Sequence, residues 1–147
     1  MNFHRYFSYG SNMNLAQMKK RCPDSNFLQL FCLHGFKLVF NRMSKKRNCG
    51  VASIIKTNNN EDYVWGSIFL VSSDDMLKLD RFEGLGAGYS RKYMKDFDMW
   101  YYCVTKNDDI FIQPSDEYLN LIVTGLNENF CIDSSYISKI IDIKNGY

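Results

Sequence analysis

Glu83 closes the run Leu79-Asp80-Arg81-Phe82-Glu83-Gly84, where a helical pattern gives out, and Tyr9-Gly10-Ser11-Asn12 follows a short aromatic segment near the N-terminus. The first motif offers a titratable carboxylate at the negative end of a helix. The second offers backbone N–H groups able to hold an anion or a developing oxyanion. A proton carrier and an oxyanion cradle suffice for acyl transfer without a metal or an organic cofactor.

A free glutamate near pKa ~4.3 is a weak base; burial and the helix end would both disfavour its charge and raise that value. Asp80, three residues earlier, would push the same way. The plainer alternative is a solvated helix-end residue beside Gly84 at the left-handed C-cap position. Gly10 permits close backbone approach or positive φ, and the N–H groups of Gly10, Ser11 and Asn12 can converge at the start of the next helix. Without a ligand the same tetrapeptide is an ordinary strand-to-helix turn capped by Asn12. Ser11 as a nucleophile would need a positioned base, and G-x-S-x-G is absent. His4 and His34 lack H-x-x-x-H spacing and a carboxylate cluster, so they read as core or surface residues, and no metal site is expected.

These groups must be held by elements that the pattern outlines. Phe3 to Ser8 reads as a strand ending in a tight loop, and Asn12 or Asn14 can cap a helix carrying Leu15, Met18 and Lys19 before Pro23. Phe27 to Asn41 reads as two strands or one bent strand broken at Gly35. Val51 to Lys56 and Tyr63 to Val71 look like a hairpin across the polar segment 57–62. Ser72-Ser73-Asp74-Asp75 fits a capping box, and Met76, Leu79 and Phe82 continue it at helical spacing. After the glycines at 84, 86 and 88, Tyr89 to Phe97 and Met99 to Thr105 read as strands, the second turning at Asn107-Asp108. Pro114 to Glu117 opens a helix with the stripe Tyr118, Leu119, Ile122, Val123 and Leu126, and a last helix spans Ser134 to Ile143. Many strands with an inserted helix predict an α+β domain with a strongly curved sheet or small barrel.

The chain has 147 residues and 46% hydrophobic content, which fits one domain over residues 1–147. Its 18 Lys and Arg against 16 Asp and Glu leave a balance of +2, too small for a general attraction to nucleic acid or an anionic membrane. The basic run Ser44-Lys45-Lys46-Arg47-Asn48 could contact phosphates, but a short isolated run reads as a solvated loop. Five irregularly spaced cysteines without a C-x-x-C pair point to free thiols in a reducing compartment. The first residues lack a secretory apolar run and no stretch matches a bilayer-spanning helix, so the expectation is a soluble cytoplasmic protein.

Taken in order, Tyr9-Gly10-Ser11-Asn12, Arg21-Cys22-Pro23-Asp24-Ser25, Gly35 to Asn41, Val64-Trp65-Gly66, the Glu83 motif and Pro114-Ser115-Asp116-Glu117-Tyr118 make the chain resemble the γ-glutamylcyclotransferase family, including its AIG2-like branch. The resemblance covers nearly the whole chain. It implies a small mixed β-barrel with flanking helices. Glu83 would be the acid/base, and Tyr6, Phe7, Ser8, Tyr9, Gly10, Ser11 and Asn12 would bind a γ-glutamyl substrate. Tyr118 matches a substrate-contacting tyrosine, and Tyr89 and Tyr102 resemble two further pocket tyrosines, Tyr89 across a one-residue gap. Tyr6, Tyr9, Tyr101, Tyr102 and Tyr118 read equally as strand or stripe residues facing a core. Relatives specific for glutathione carry leucine in place of Asn12, which argues against glutathione as substrate. Where relatives carry several glycines before Val51, this chain has only Cys49-Gly50, a departure that bears on pocket shape.

The implied reaction closes the substrate's α-amine on its own γ-carbonyl, giving 5-oxoproline and a free amine, with no cofactor. Glu83 would take the proton of the attacking amine and return it to the leaving nitrogen. The substrate would be a γ-glutamyl amino acid or a γ-glutamylamine. A non-catalytic small-molecule-binding module of the same fold is the alternative, and oligomeric state is not legible.

Overall fold

The computed structural model describes residues 2–84, 86, 88–106 and 110–146. Among these described residues seven strands form two sheets. β1 (Phe3–Ser8), β2 (Asn26–His34), β5 (Tyr63–Ser72), β6 (Tyr89–Met94) and β7 (Met99–Val104) make one sheet in the order β2-β5-β1-β7-β6, while β3 (Phe36–Ser44) and β4 (Cys49–Lys56) pair separately. β1 is central, antiparallel to β5 and parallel to β7, so the larger sheet is mixed. The two sheets are tied where Val104 N donates to Ser53 Oγ at 3.0 Å and the Tyr89 hydroxyl donates to Ala52 O at 2.6 Å. The result is a curled, incompletely closed α+β barrel with helices on its flanks.

The expected pairing of 51–56 with 63–71 is not formed. β5 already has β1 on one edge and β2 on the other, both antiparallel, which leaves no ladder for β4. β4 instead pairs with β3. Gly35, at φ +82, lets the chain leave one sheet for the other; its N–H donates to Asp62 O and its carbonyl accepts from Thr57 N. Segment 57–62 is therefore a crossover between sheets rather than a hairpin turn. β6 also ends earlier than expected, at Met94, because Lys95–Phe97 winds into a 3-10 turn closed by the left-handed Asp98. The turn expected at Asn107-Asp108 lies outside the described residues.

The helices match their sequence signals closely. α1 (Leu15–Arg21) is capped by Asn14, whose side chain accepts from Gln17 N, leaving Asn12 free for another role. α2 (Ser73–Phe82) is capped by Ser72, which accepts from Asp75 N at 3.1 Å. The buried Asp75 carboxylate does not complete the box; it accepts from Asp24 N at 3.0 Å and anchors the loop after α1. α3 (Asp116–Glu128) is capped by Ser115 and buries Tyr118, Leu119, Ile122, Gly125 and Leu126 on one face. α4 (Ser134–Asp142) follows its Asp133 cap.

One packing relation carries the fold into the site. The 3-10 turn Ser11–Met13 lies directly on α3, where a Cβ on Gly125 would stand 2.5 Å from the Met13 carbonyl carbon. The buried Asn129 amide donates to Met13 O at 3.2 Å and to Ser67 Oγ at 2.6 Å. The turn after β1 is thus clamped from the helix side.

Candidate functional site

α2 ends as its periodicity predicts. Glu83 N still donates to Leu79 O at 2.8 Å, and Gly84 takes the left-handed conformation at φ +65 that a C-terminal cap favours. Glu83 is half-buried. Its carboxylate faces the end of β1: Asn12 Nδ2 donates to Glu83 Oε1 at 3.4 Å and to the Tyr6 hydroxyl at 3.0 Å. A solvated helix end is therefore not what Glu83 is.

Glu83 and the turn line one cavity of ≈ 580 Å³, within the range of small-molecule sites. All of Tyr6, Phe7, Ser8, Tyr9, Gly10, Ser11, Asn12, Tyr89, Tyr102 and Tyr118 line it as well. The Phe7 ring itself packs against Tyr9 and Phe31, and a Cβ on Gly66 would meet it at 2.5 Å. Gly10 has φ −114, so the positive-φ expectation does not hold there. Its missing side chain leaves the Tyr118 hydroxyl 3.4 Å from where a Cβ would sit.

The tyrosine hydroxyls divide into two groups. Tyr9 donates to Tyr102 O at 2.6 Å, Tyr89 to Ala52 O at 2.6 Å, and Tyr102 to Asp80 Oδ1 at 2.6 Å. Those protons are committed to the scaffold. Tyr6 accepts from Asn12 and also meets the Ser8 hydroxyl, while Tyr118 accepts from Ala52 N at 3.0 Å and so keeps its own proton to offer. Burial raises both pKa values, which holds both hydroxyls neutral.

Sequence reasoning missed the cationic side of the site. Arg21, Arg42 and Arg47 also line the cavity. Arg21 Nη1 and Gln17 Nε2 donate to Asn12 Oδ1 at 3.0 and 2.9 Å. Arg47 Nη2 donates to Gln17 Oε1 at 3.0 Å, and its guanidinium lies 5.2 Å from the Tyr118 ring centre. Arg42 stacks over Tyr89 at 4.5 Å and donates to the Glu83 carbonyl at 3.4 Å. A solvated loop is thus the wrong description of Arg47, although Lys45 and Lys46 beside it are exposed. The signal for Gln17 and Arg21 was their four-residue spacing on α1, which puts both on the face of Asn12.

Burial raises the pKa of Glu83, and the positive charges of Arg21, Arg42 and Arg47 hold part of that rise back. The two effects oppose each other at this carboxylate, and the net direction is upward, toward a stronger base. Asp80 does not contribute as expected. Its carboxylate is engaged by Arg91 Nη1 at 3.0 and 2.8 Å and by Tyr102.

Among the described residues no cluster of three or more His, Cys, Asp and Glu could hold a metal ion. His4 meets Ser73 Oγ and His34 meets Asn60 O, each at 3.0 Å. All five cysteines are free thiols. No helix among the described residues is long and apolar enough to cross a membrane.

Comparison with known proteins bears on this geometry. The model of a family described as gamma-glutamyl cyclotransferase, AIG2-like, matches residues 6–120. The chain is 29% identical over 136 residues to the gamma-glutamylcyclotransferase of Mus musculus, a match covering 84% of this chain and 70% of that one. Identity to the Homo sapiens gamma-glutamylcyclotransferase is 27% over the same shares. A solved structure of a gamma-glutamyl cyclotransferase superposes with TM-score 0.80 at 25% identity, over 95% of this chain and 86% of that one.

Proposed function

Because the chain belongs to the γ-glutamyl cyclotransferase, AIG2-like family, we propose that it is a cofactor-free cyclotransferase converting a γ-glutamyl amino acid or γ-glutamylamine to 5-oxoproline and a free amine. The observation that carries this reading is the shared cavity of Glu83 and the Tyr6–Asn12 segment, joined through the Asn12 amide. Five free thiols suit a protein working in the reducing cytoplasm.

The substrate's α-amine and γ-carbonyl are in one molecule, so the cavity has to hold the folded conformer. Such orientation is worth up to roughly 7 to 11 kcal/mol in favourable intramolecular reactions. As the amine nitrogen bonds to the γ-carbon, Glu83 takes its proton and the carbonyl electrons move onto oxygen. Collapse of that oxyanion re-forms the carbonyl and breaks the bond to the leaving nitrogen, which receives the proton from Glu83. The N–H groups of Gly10, Ser11 and Asn12, at the open start of their turn, would hold the α-carboxylate or the oxyanion. Tyr118, with its proton uncommitted, would donate to the substrate.

The test is to incubate wild-type protein and Glu83→Gln with a panel of γ-glutamyl amino acids and γ-glutamylamines, following 5-oxoproline by mass spectrometry. Product from wild type alone is expected. Equal product from both proteins would remove Glu83 from its role. Binding without product from either would identify a non-catalytic module.

A further inference from the structure

Six cationic residues, Arg21, Arg42, Lys45, Lys46, Arg47 and Arg81, line the cavity, and Glu83 is the one carboxylate on its described lining. That is six of the chain's 18 lysines and arginines, in a protein with a formal balance of only +2. None of the six forms an ion pair among the described residues; the recorded pairs, Lys78 with Asp75, Arg91 with Asp80 and Lys144 with Asp116, lie elsewhere. A γ-glutamyl group brings one carboxylate. Most of this positive charge therefore has no counterpart in the reacting half of the substrate.

The excess sits on a built surface. The turn between β3 and β4 is closed by Asn48 N donating to Ser44 O at 2.7 Å and Arg47 N donating to Ser44 Oγ at 3.1 Å. It is docked on α1 through Arg47 and Gln17. Lys45 and Lys46 are exposed on that turn, at the cavity's edge, while Arg42 and Arg47 are fixed over the tyrosine rings deeper in. Arg42 fits because residue 88 has no side chain; a Cβ there would stand 2.4 Å from its guanidinium carbon.

Resting on the cyclotransferase reading, we infer that this cationic wall is the leaving-group subsite and that the preferred substrate carries extra carboxylate on the departing amine, as in a γ-glutamyl acidic amino acid. A γ-glutamylamine brings no charge to that wall beyond its α-carboxylate. A neutral amino acid as leaving group adds one carboxylate, and an acidic one adds two.

γ-Glutamyl-glutamate and γ-glutamyl-glutamine differ by one charge at nearly constant shape. At about 50 mM salt the ratio of their kcat/KM values is expected to favour the acidic peptide by roughly fivefold or more. Screening at about 0.5 M salt should bring it toward unity. The exposed double variant Lys45→Gln/Lys46→Gln should lower the low-salt ratio severalfold. A low-salt ratio at or below one overturns the inference, as does a preference that neither salt nor the double variant changes. If no γ-glutamyl compound yields 5-oxoproline, the cyclotransferase reading fails. The ratio of Kd values for the two peptides, from calorimetric titration of the wild-type protein, then decides the cationic subsite by the same criteria.

Discussion

Asn12 joins the end of β1 to the end of α2 by donating from one amide nitrogen to Glu83 Oε1 at 3.4 Å and to the Tyr6 hydroxyl at 3.0 Å. Its carbonyl oxygen simultaneously accepts from Gln17 and Arg21. Asn12→Ala would leave those two donors and Glu83 without their shared partner. We expect kcat/KM for 5-oxoproline formation to fall about 100-fold, with roughly 1–3 kcal/mol lost from stability. Asn12→Asp keeps the acceptor but places a like charge beside Glu83. It should raise the carboxylate's pKa and move the acid limb of the pH–rate profile upward. Unchanged kinetics in both variants would detach Asn12 from the site.

The raised pKa of Glu83 has a stability consequence whose sign is opposite to that of a salt-bridged carboxylate. Between the unfolded value, about 4.3, and the higher folded value, the native state binds the proton more tightly than the unfolded state does. Stability from this group is full below that window and is lost as pH rises through it. Glu83→Gln removes the desolvated charge. Its Tm should match wild type below about pH 4 and exceed it near neutrality. A variant less stable than wild type at pH 7 would mean that the three arginines outweigh burial.

The five pocket tyrosines should separate when each is changed to phenylalanine. Tyr9, Tyr89 and Tyr102 donate to Tyr102 O, Ala52 O and Asp80, so losing each hydroxyl should cost about 1–2 kcal/mol of stability and change KM little. Tyr6 accepts from Asn12 and Tyr118 from Ala52 N, and both rings line the cavity beside Glu83. Their phenylalanine variants should lose about tenfold or more in kcat/KM. Denaturant unfolding beside steady-state kinetics on all five distinguishes the groups, and a uniform pattern would sink the division.

Gly125 supports the site from behind. A Cβ there would press on backbone of Met13 and Asn14, which cannot yield as a side-chain tip can. Gly125→Ala should therefore cost roughly 1–3 kcal/mol despite the better helix propensity of alanine, and should lower kcat/KM by shifting the turn. Stabilisation of the variant would show that α3 can move away freely.

Local signals in the sequence located Glu83 and the turn, because both lie where an element ends and capping chemistry marks the end. Asn14, Ser72 and Ser115 mark helix starts by the same means. Strand pairing was not legible in that way. The partners of β4 and β5 depend on which sheet edges are already occupied, a property of the whole fold that adjacent polar residues at 57–62 do not encode. Arg47 was missed for a related reason: a basic residue on a turn looks solvated until the turn is seen docked on α1, and Arg42 was missed because its place beside Glu83 depends on β3 passing the end of α2. The Cys49-Gly50 departure also becomes intelligible only in three dimensions. Gly50 donates to Gln113 O, and a Cβ there would fall 1.8 Å from Ile112 O, so one glycine meets the contact with the chain before α3.

Arg42 offers the sharpest kinetic test of how Glu83 is tuned. Its positive charge lowers the Glu83 pKa against the rise caused by burial, and its position depends on the empty side of Gly88. Gly88→Ala would drive the guanidinium off the Tyr89 ring while leaving the rest of the cavity in place, since the side-chain end is what must give. Arg42→Gln removes the charge outright. Both variants should raise the Glu83 pKa, because a favourable interaction with the ionised form is lost. If ionised Glu83 is the base, the acid limb of kcat/KM should move to higher pH in both, with the larger displacement for Arg42→Gln. A pH–rate profile that stays in place in both variants would show that Arg42 does not act on the titrating group.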